Sequence, residues 1–164
     1  MDIVLEELTG GLADTDQLIR MLVRLIASVI LGAIIGFERE QIGKPAGLRT
    51  HMLVSLGSAI FVLASLEVGM SVGDVSRVIQ GLATGLGFIG GGAILKLHEQ
   101  REIEGLTTAA GIWTTAAVGV AVGLGRLWTA VFGMVLGWTI LVGLGYLERP
   151  RDKPATPAVD STPK

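Results

Sequence analysis

The sequence predicts an all-α membrane protein, a bundle of about five transmembrane helices with its N-terminus outside and its C-terminus cytoplasmic. Three observations carry this. Of the residues, 50% are hydrophobic and 17% charged, where a soluble domain carries about a quarter charged. The charges sit in clusters between long uncharged runs, and mean hydropathy is +0.62. Lysine and arginine gather in alternate loops, the asymmetry that orients a chain in a bilayer.

A helix needs about 20 residues to cross roughly 30 Å of hydrocarbon, and five stretches meet or approach that length. The first runs from Leu18 to Phe37 and carries Arg20 and Arg24 in its opening turns. The second runs from Thr50 to Leu66 and the third from Val78 to Leu95. The fourth and fifth, Gly105 to Gly125 and Leu127 to Leu147, hold no charge. Apolar residues occur all round these segments, without the polar face of a soluble amphipathic helix. Burying so many helices in one small soluble domain runs against its surface-to-volume ratio.

The opening residues MDIVLEELTG are acidic, which argues against a cleavable signal peptide. Residues 1–17 therefore read as an acidic N-terminal segment and 18–147 as the transmembrane domain. Residues 148–164 contain four of the five prolines and no apolar periodicity, the composition of a disordered cytoplasmic tail. Orientation follows the cations: Arg39, Lys44 and Arg49 in loop one, Lys96 and Arg101 in loop three, and the tail arginines and lysines. Loops two and four hold one each, Arg77 and Arg126. The basic side is the cytoplasmic one.

Many of the 24 glycines fall inside the apolar stretches. In lipid, small residues let backbones approach, and packing replaces the missing hydrophobic drive. Ser28, Gly32 and Gly36 recur at spacing four, as do Gly81 with Gly85, Gly87 with Gly91, Gly119 with Gly123, and Gly133 with Gly137. This small-xxx-small pattern predicts a tight bundle or a homo-oligomer. For Gly90-Gly91-Gly92 two readings stand: close helix crossing, or an unwound stretch lining a polar cavity.

Charged groups in hydrocarbon are functional candidates by default, and no Asp or Glu lies in the middle of any segment. Arg20 and Arg24 share one face near the outer end of the first segment, at the level of Glu67 and Asp74. Arg24 either pairs with Asp74, closing that end, or snorkels to the headgroups. The first loop, FEREQIGKPAGLRTH, packs Glu38, Arg39, Glu40, Lys44, Arg49 and His51 around helix-breaking Gly43, Pro45 and Gly47. It either folds back and offers its cations to phosphate or carboxylate groups, or merely sets topology. With Lys96, His98 and Arg101 of loop three, His51 would complete a cytoplasmic polar patch, the favoured partner-binding or ligand-sensing site.

Thr107 and Thr108 open the fourth segment, where hydroxyls can satisfy free N–H groups. Thr114 and Thr115 flank Trp113, where hydroxyls can bond back to the preceding turn. Trp113, if buried, needs a partner for its indole N–H. Trp128 reads as an interfacial anchor, and Trp138 as packing. The absence of cysteine removes disulfides, thiolate metal sites and a Cys nucleophile. With no phosphate-binding loop, nucleophile–base pair or metal motif, the chain reads as a non-enzyme without cofactors. A net charge of −2 offers no basic field to nucleic acid.

Three blocks occur in order, GFEREQIGKPAGLRTHMLVSLGSAIF, DVSRVIQGLATGLGFIGGGAIL and EGLTTAAGIWTTAAVGVAVGLG. With them the chain resembles the MgtC/SapB family of bacterial inner-membrane proteins over roughly Leu18 to Leu147. Matching positions include Glu38, Arg39, Lys44, Pro45, Arg49, Asp74, Arg77, Gly85, Gly91, Thr108 and Trp113. Better-known members carry Asn at the position of Thr107, Cys at Thr114 and often Asn at His51. Longer members add a soluble cytoplasmic domain, so the resemblance is to the short, SapB-like kind. It implies a small helical inner-membrane protein that is not an ATPase, despite the family's early magnesium-transport ATPase label. Some members support growth at low magnesium and intracellular survival, and are linked to inhibition of the F-type ATP synthase and to phosphate balance. Two functions follow as expectations. The first is a non-enzymatic regulator acting through a membrane partner such as ATP synthase. The second is a small magnesium transporter or channel, with Asp74 and Glu67 as candidate ligands at the mouth of an oligomer.

Overall fold

The structure, a computed structural model, describes residues 15–97 and 102–144. Five helices run through them: α1 Thr15–Gln41, α2 Leu48–Glu67, α3 Val72–Gly92, α4 Leu106–Gly123 and α5 Leu127–Thr139. A π-helical turn, Ile140–Leu144, continues α5. Between α3 and α4 lie two short antiparallel strands, β1 Leu95–Leu97 and β2 Glu102–Glu104, with Leu95 opposite Glu104. The chain is an all-α membrane bundle with this one small hairpin appended. Helices α1, α2 and α4 are long and apolar enough to cross a membrane, while α5 with most of its π turn, Leu127–Gly143, is a shorter apolar helix.

The lipid face is most legible on α1. Ile19, Leu22, Val23, Ile26, Ile30, Ile34 and Phe37 are all exposed, and their spacing of three or four residues makes one ridge. At about 1.5 Å per residue that ridge is roughly 27 Å long, close to the hydrocarbon thickness. The opposite face of α1 packs on α2, and α2 packs in turn on α4. Helix α2 can lie between two neighbours because its buried positions are mostly small: Ser55, Ser58, Ala59, Val62 and Ser65. The hydroxyls of Ser58 and Ser65 donate to the carbonyls of Val54 and Phe61 at 2.8 and 2.7 Å, so neither is an unsatisfied group in the bundle. Leu31 and Ile35 of α1, Val118 and Val122 of α4, and Ala130 and Met134 of α5 form the apolar core beside this contact.

Glycines set the separations. A methyl at Gly32 would lie 2.7 Å from the His51 carbonyl oxygen, and one at Gly36 2.8 Å from Leu48 Cα. At Gly119 it would overlap the Ser55 carbonyl oxygen, and at Gly123 it would lie 2.8 Å from Val62 Cβ. The backbones of α1 and α4 therefore both touch α2. On α3 the result is opposite: a methyl at Gly81, Gly85, Gly87 or Gly91 meets nothing within 4 Å among the described residues. Val75 is its one buried residue.

Several boundaries differ from the sequence reading. Helix α1 extends to Gln41, because Glu38, Arg39 and Glu40 continue the helix instead of starting the loop. Helix α3 starts at Val72, six residues before the expected Val78, because Ser71 caps it by accepting from the Asp74 N–H. It also runs unbroken through Gly90 and Gly91, so this stretch is not unwound. Leu95, expected to close the third segment, belongs to the hairpin. The end of the fifth segment beyond residue 144, the segment 1–14 and the tail 148–164 lie outside the described residues.

Candidate functional site

The polar residues of the first loop's helical flanks converge at the junction of α1, α2 and α4. The face of α1 that carries Gly32 and Gly36 ends, one turn on, at Arg39. A long side chain there follows two positions that have drawn α2 close, so it is enclosed: Arg39 is 2% exposed. Its Nη1 stands 3.7 Å from Glu38 Oε2, an ion pair too long for a hydrogen bond. Its Nε and Nη2, the parallel edge that grips planar oxyanions, have no hydrogen-bond partner among the described residues. The position in the last turn of α1 suits the charge, since that end of the helix dipole is negative.

His51 lies in the first turn of α2 and is fully buried. Gly36 makes room for it, since a methyl there would stand 2.9 Å from His51 Cβ, and Gly111 lies beside the ring, where a methyl would stand at a contact distance of 3.6 Å from Cε1. The ring Nδ1 lies 2.7 Å from Thr115 Oγ1. Thr115 Oγ1 also lies 2.9 Å from the Gly111 carbonyl; with its one hydrogen given to that carbonyl, the hydroxyl accepts from Nδ1–H. The remaining ring nitrogen, Nε2, has no hydrogen-bond partner among the described residues. Arg39 acts electrostatically on this ring, and the backbone of buried Ala46 lies beside it. One turn along, Ser55 Oγ is buried and likewise without a partner. Thr108 is buried on α4.

Glu40 completes the junction at its edge. Its Oε2 accepts from the Leu48 N–H at 2.8 Å, supplying from α1 the cap that Gly47 cannot give the start of α2. Glu40 and α2 are thereby locked across a six-residue connection, and Lys44 donates its backbone N–H to the Arg39 carbonyl at 3.0 Å. The assembly is hydroxyl-rich and sets one guanidinium, that of Arg39, among two carboxylates, those of Glu38 and Glu40. It offers hydrogen bonds to an oxyanion or to water, whereas magnesium favours about six oxygen ligands. Among the described residues, no three His, Asp or Glu side chains converge on a metal position.

The other expected site residues lie elsewhere. Arg24 does not pair with Asp74: its Nη1 donates to the Gly123 carbonyl at 3.1 Å, at the end of α4. Asp74 is held locally, accepting from the Ser71 hydroxyl at 2.6 Å and from Arg77 at 3.2 Å. The reason is proximity, since a capping residue and an i+3 arginine reach it before any other helix does. His51 does not belong to a surface patch, because the approach of α1 and α4 encloses it; His98, Arg101 and the side chain of Lys96 lie outside the described residues. Lys44 and Arg49 are exposed. The start of α4 is formed by Gly105 without a side-chain cap, so Thr107 stands exposed and Thr108 buried rather than both capping. The hydroxyls of Thr114 and Thr115 do bond back, to Ala110 and Gly111. Trp113 is 54% exposed, and Trp138, expected to pack, is 40% exposed on the outside of α5. Ser55 is the contributor not singled out; it was detectable as the polar residue one turn after His51.

The chain matches the profile of the MgtC family over residues 25–150. It is 38% identical over 137 residues to Protein SrpB of Synechococcus elongatus, covering 77% of this chain and 75% of that one. It is 43% identical over 131 residues to the putative magnesium transporter YhiD of Escherichia coli, covering 74% of this chain and 58% of YhiD. To Protein MgtC of Salmonella typhimurium it is 37% identical over 115 residues, covering 70% of this chain and 48% of that protein. The chain thus spans about half the length of those last two relatives. No solved structure matches it. The matched span includes the whole polar junction, from Arg39 through His51 to Thr115, together with the glycines that enclose it. By that span the chain belongs to the MgtC family.

Proposed function

We propose that the chain is a non-enzymatic regulator in the inner membrane, linked to magnesium limitation or to phosphate and ATP balance through a membrane partner. One observation carries this reading: the open glycine face of α3, where methyls at Gly81, Gly85, Gly87 and Gly91 would meet nothing within 4 Å among the described residues. Backbone left bare in lipid suits close approach by another helix, from a partner complex or a second copy. At the polar junction the buried Arg39 guanidinium, whose Nε and Nη2 have no hydrogen-bond partner among the described residues, suits an oxyanion better than a divalent cation and so supports regulation over cation passage. Lysine and arginine placement supports an outside N-terminus and a cytoplasmic C-terminus.

The second reading, a small magnesium transporter, draws on the likeness to YhiD, which is named a putative magnesium transporter. Its candidate ligands Asp74 and Glu67 are exposed at helix ends, where only an oligomer could join them into a ring. Purified protein in liposomes separates the two. The regulator gives no magnesium or phosphate flux, while a flux lost in Asp74→Ala would establish the transporter. In cells, a photo-crosslinking residue at Gly85 should capture a membrane protein, and a reporter after Lys164 should be active only inside.

A further inference from the structure

A second polar site lies at the far end of the bundle from the His51 junction. A cavity of ≈ 140 Å³ opens between the first turns of α1 and the last turns of α2. Its α1 wall presents Gln17, Arg20 and Arg24, and its apolar floor is Met21, Leu63 and Leu66. Glu67, the last residue of α2, lines the opposite side. We propose that this groove binds the headgroup of a phosphoethanolamine phospholipid, with the phosphate on Arg20 and Arg24 and the ammonium on Glu67.

Three features select that occupant. The arginines are one helical turn apart on one face, about 6 Å along the axis, a spacing that brackets a single phosphate. Arg24 is already oriented, because its Nη1 is held by the Gly123 carbonyl at 3.1 Å. Across the groove, the Glu67 carboxylate stands at the C-terminal, negative end of the α2 dipole, where a cation is favoured. Among the described residues no ion pair joins Glu67 to either groove arginine. A cationic wall facing an anionic one complements a zwitterion with an N–H-bearing ammonium; a quaternary choline has no proton to give the carboxylate. The position then supplies the rest of the lipid. The exposed ridge of Ile19, Leu22, Val23 and Ile26 begins beside the groove, so acyl chains can follow it while the headgroup stays at the interface. A soluble phosphate would use the arginines but leave the apolar floor and ridge idle.

The test measures lipid retention by native mass spectrometry, on protein delipidated in detergent and offered phosphatidylethanolamine, phosphatidylglycerol or phosphatidylcholine. The intact chain should retain phosphatidylethanolamine over phosphatidylcholine. Arg20→Gln should lower retention of the ethanolamine and glycerol lipids about fivefold each, the effect of about one interfacial cation. Glu67→Gln should erase the preference for ethanolamine over choline while sparing the glycerol lipid. Arg20 and Glu67 are exposed, and an unchanged far-UV spectrum and elution volume would show that both variants fold. Equal retention of choline and ethanolamine lipids by the intact chain would overturn the assignment. So would an Arg20→Gln protein that binds as before, or competition by inorganic phosphate alone at low millimolar concentration.

Discussion

Glycine plays two roles in this chain, and helices α3 and α4 divide them. On α4, methyls at Gly119 and Gly123 would run into the Ser55 carbonyl oxygen and Val62. On α3, Gly81 and Gly85 have the same spacing and face open space. One pattern therefore describes a contact already made within the chain and a surface that has none. The difference comes from the opposite partner. Helix α2 offers α4 a line of Ser and Ala side chains, and no helix offers α3 an equivalent line.

The largest effect should come from breaking that contrast directly. Gly119→Ala puts a methyl against backbone, which cannot swing aside, and should cost about 3 kcal/mol or more, the upper range for overpacking. Gly85→Ala should leave stability unchanged or raise it by up to about 1 kcal/mol, since alanine is the better helix former. Both are read from the unfolding midpoint in mixed micelles. Equal losses would mean that α3 is also covered, and dilution of the detergent-solubilised protein would then show whether a second copy covers it.

Which parts of this were legible beforehand follows from what each interaction uses. The apolar stretches announced the helices because a bilayer demands about 20 such residues whatever they pack on. The His51 to Thr115 bond joins positions 64 residues apart, and no local pattern carries that pairing. For Arg24 the sequence leaves a choice between Asp74 and the headgroups, yet its partner is the carbonyl of Gly123, and a backbone acceptor has no sequence identity to read. The early start of α3 was readable in principle from Ser71 and Asp74, three apart as in a capping motif. Charge near that turn argued more loudly for a loop. Glycine spacing cannot distinguish α4 from α3, because a residue without a side chain says nothing about what lies opposite it.

The next effect in size sharpens the comparison at the buried end. His51→Ala removes a fully enclosed ring and should cost about 2 to 4 kcal/mol. Thr115→Val keeps the shape, leaves Nδ1 without its acceptor, and should cost about 1 to 2 kcal/mol. If the bond is as drawn, the double variant should lose about 1 kcal/mol less than the sum, within the range for hydrogen bonds between membrane helices. Strict additivity would mean that ring packing, and not the bond, holds α2 to α4.

The smallest effects contrast two arginines. Gly125, with φ +75°, turns the chain at the end of α4, where its N–H and that of Arg126 bond back to Val122 and Ala121 at 2.8 Å each. The Arg24 guanidinium lies against Gly125 and donates to Gly123, so it joins α1 to the negative end of α4. Arg24→Ala should cost about 1 kcal/mol, a charged hydrogen bond plus a helix-dipole contact. Arg77 also makes a charged hydrogen bond, to Asp74, but its side chain is 80% exposed and both groups lie on α3. Arg77→Ala should change stability by less than about 0.5 kcal/mol. If Arg77→Ala proved the costlier of the two in the full membrane, the exposed end of α3 would have to be in contact with something beyond this chain, and the pair would belong to that interface.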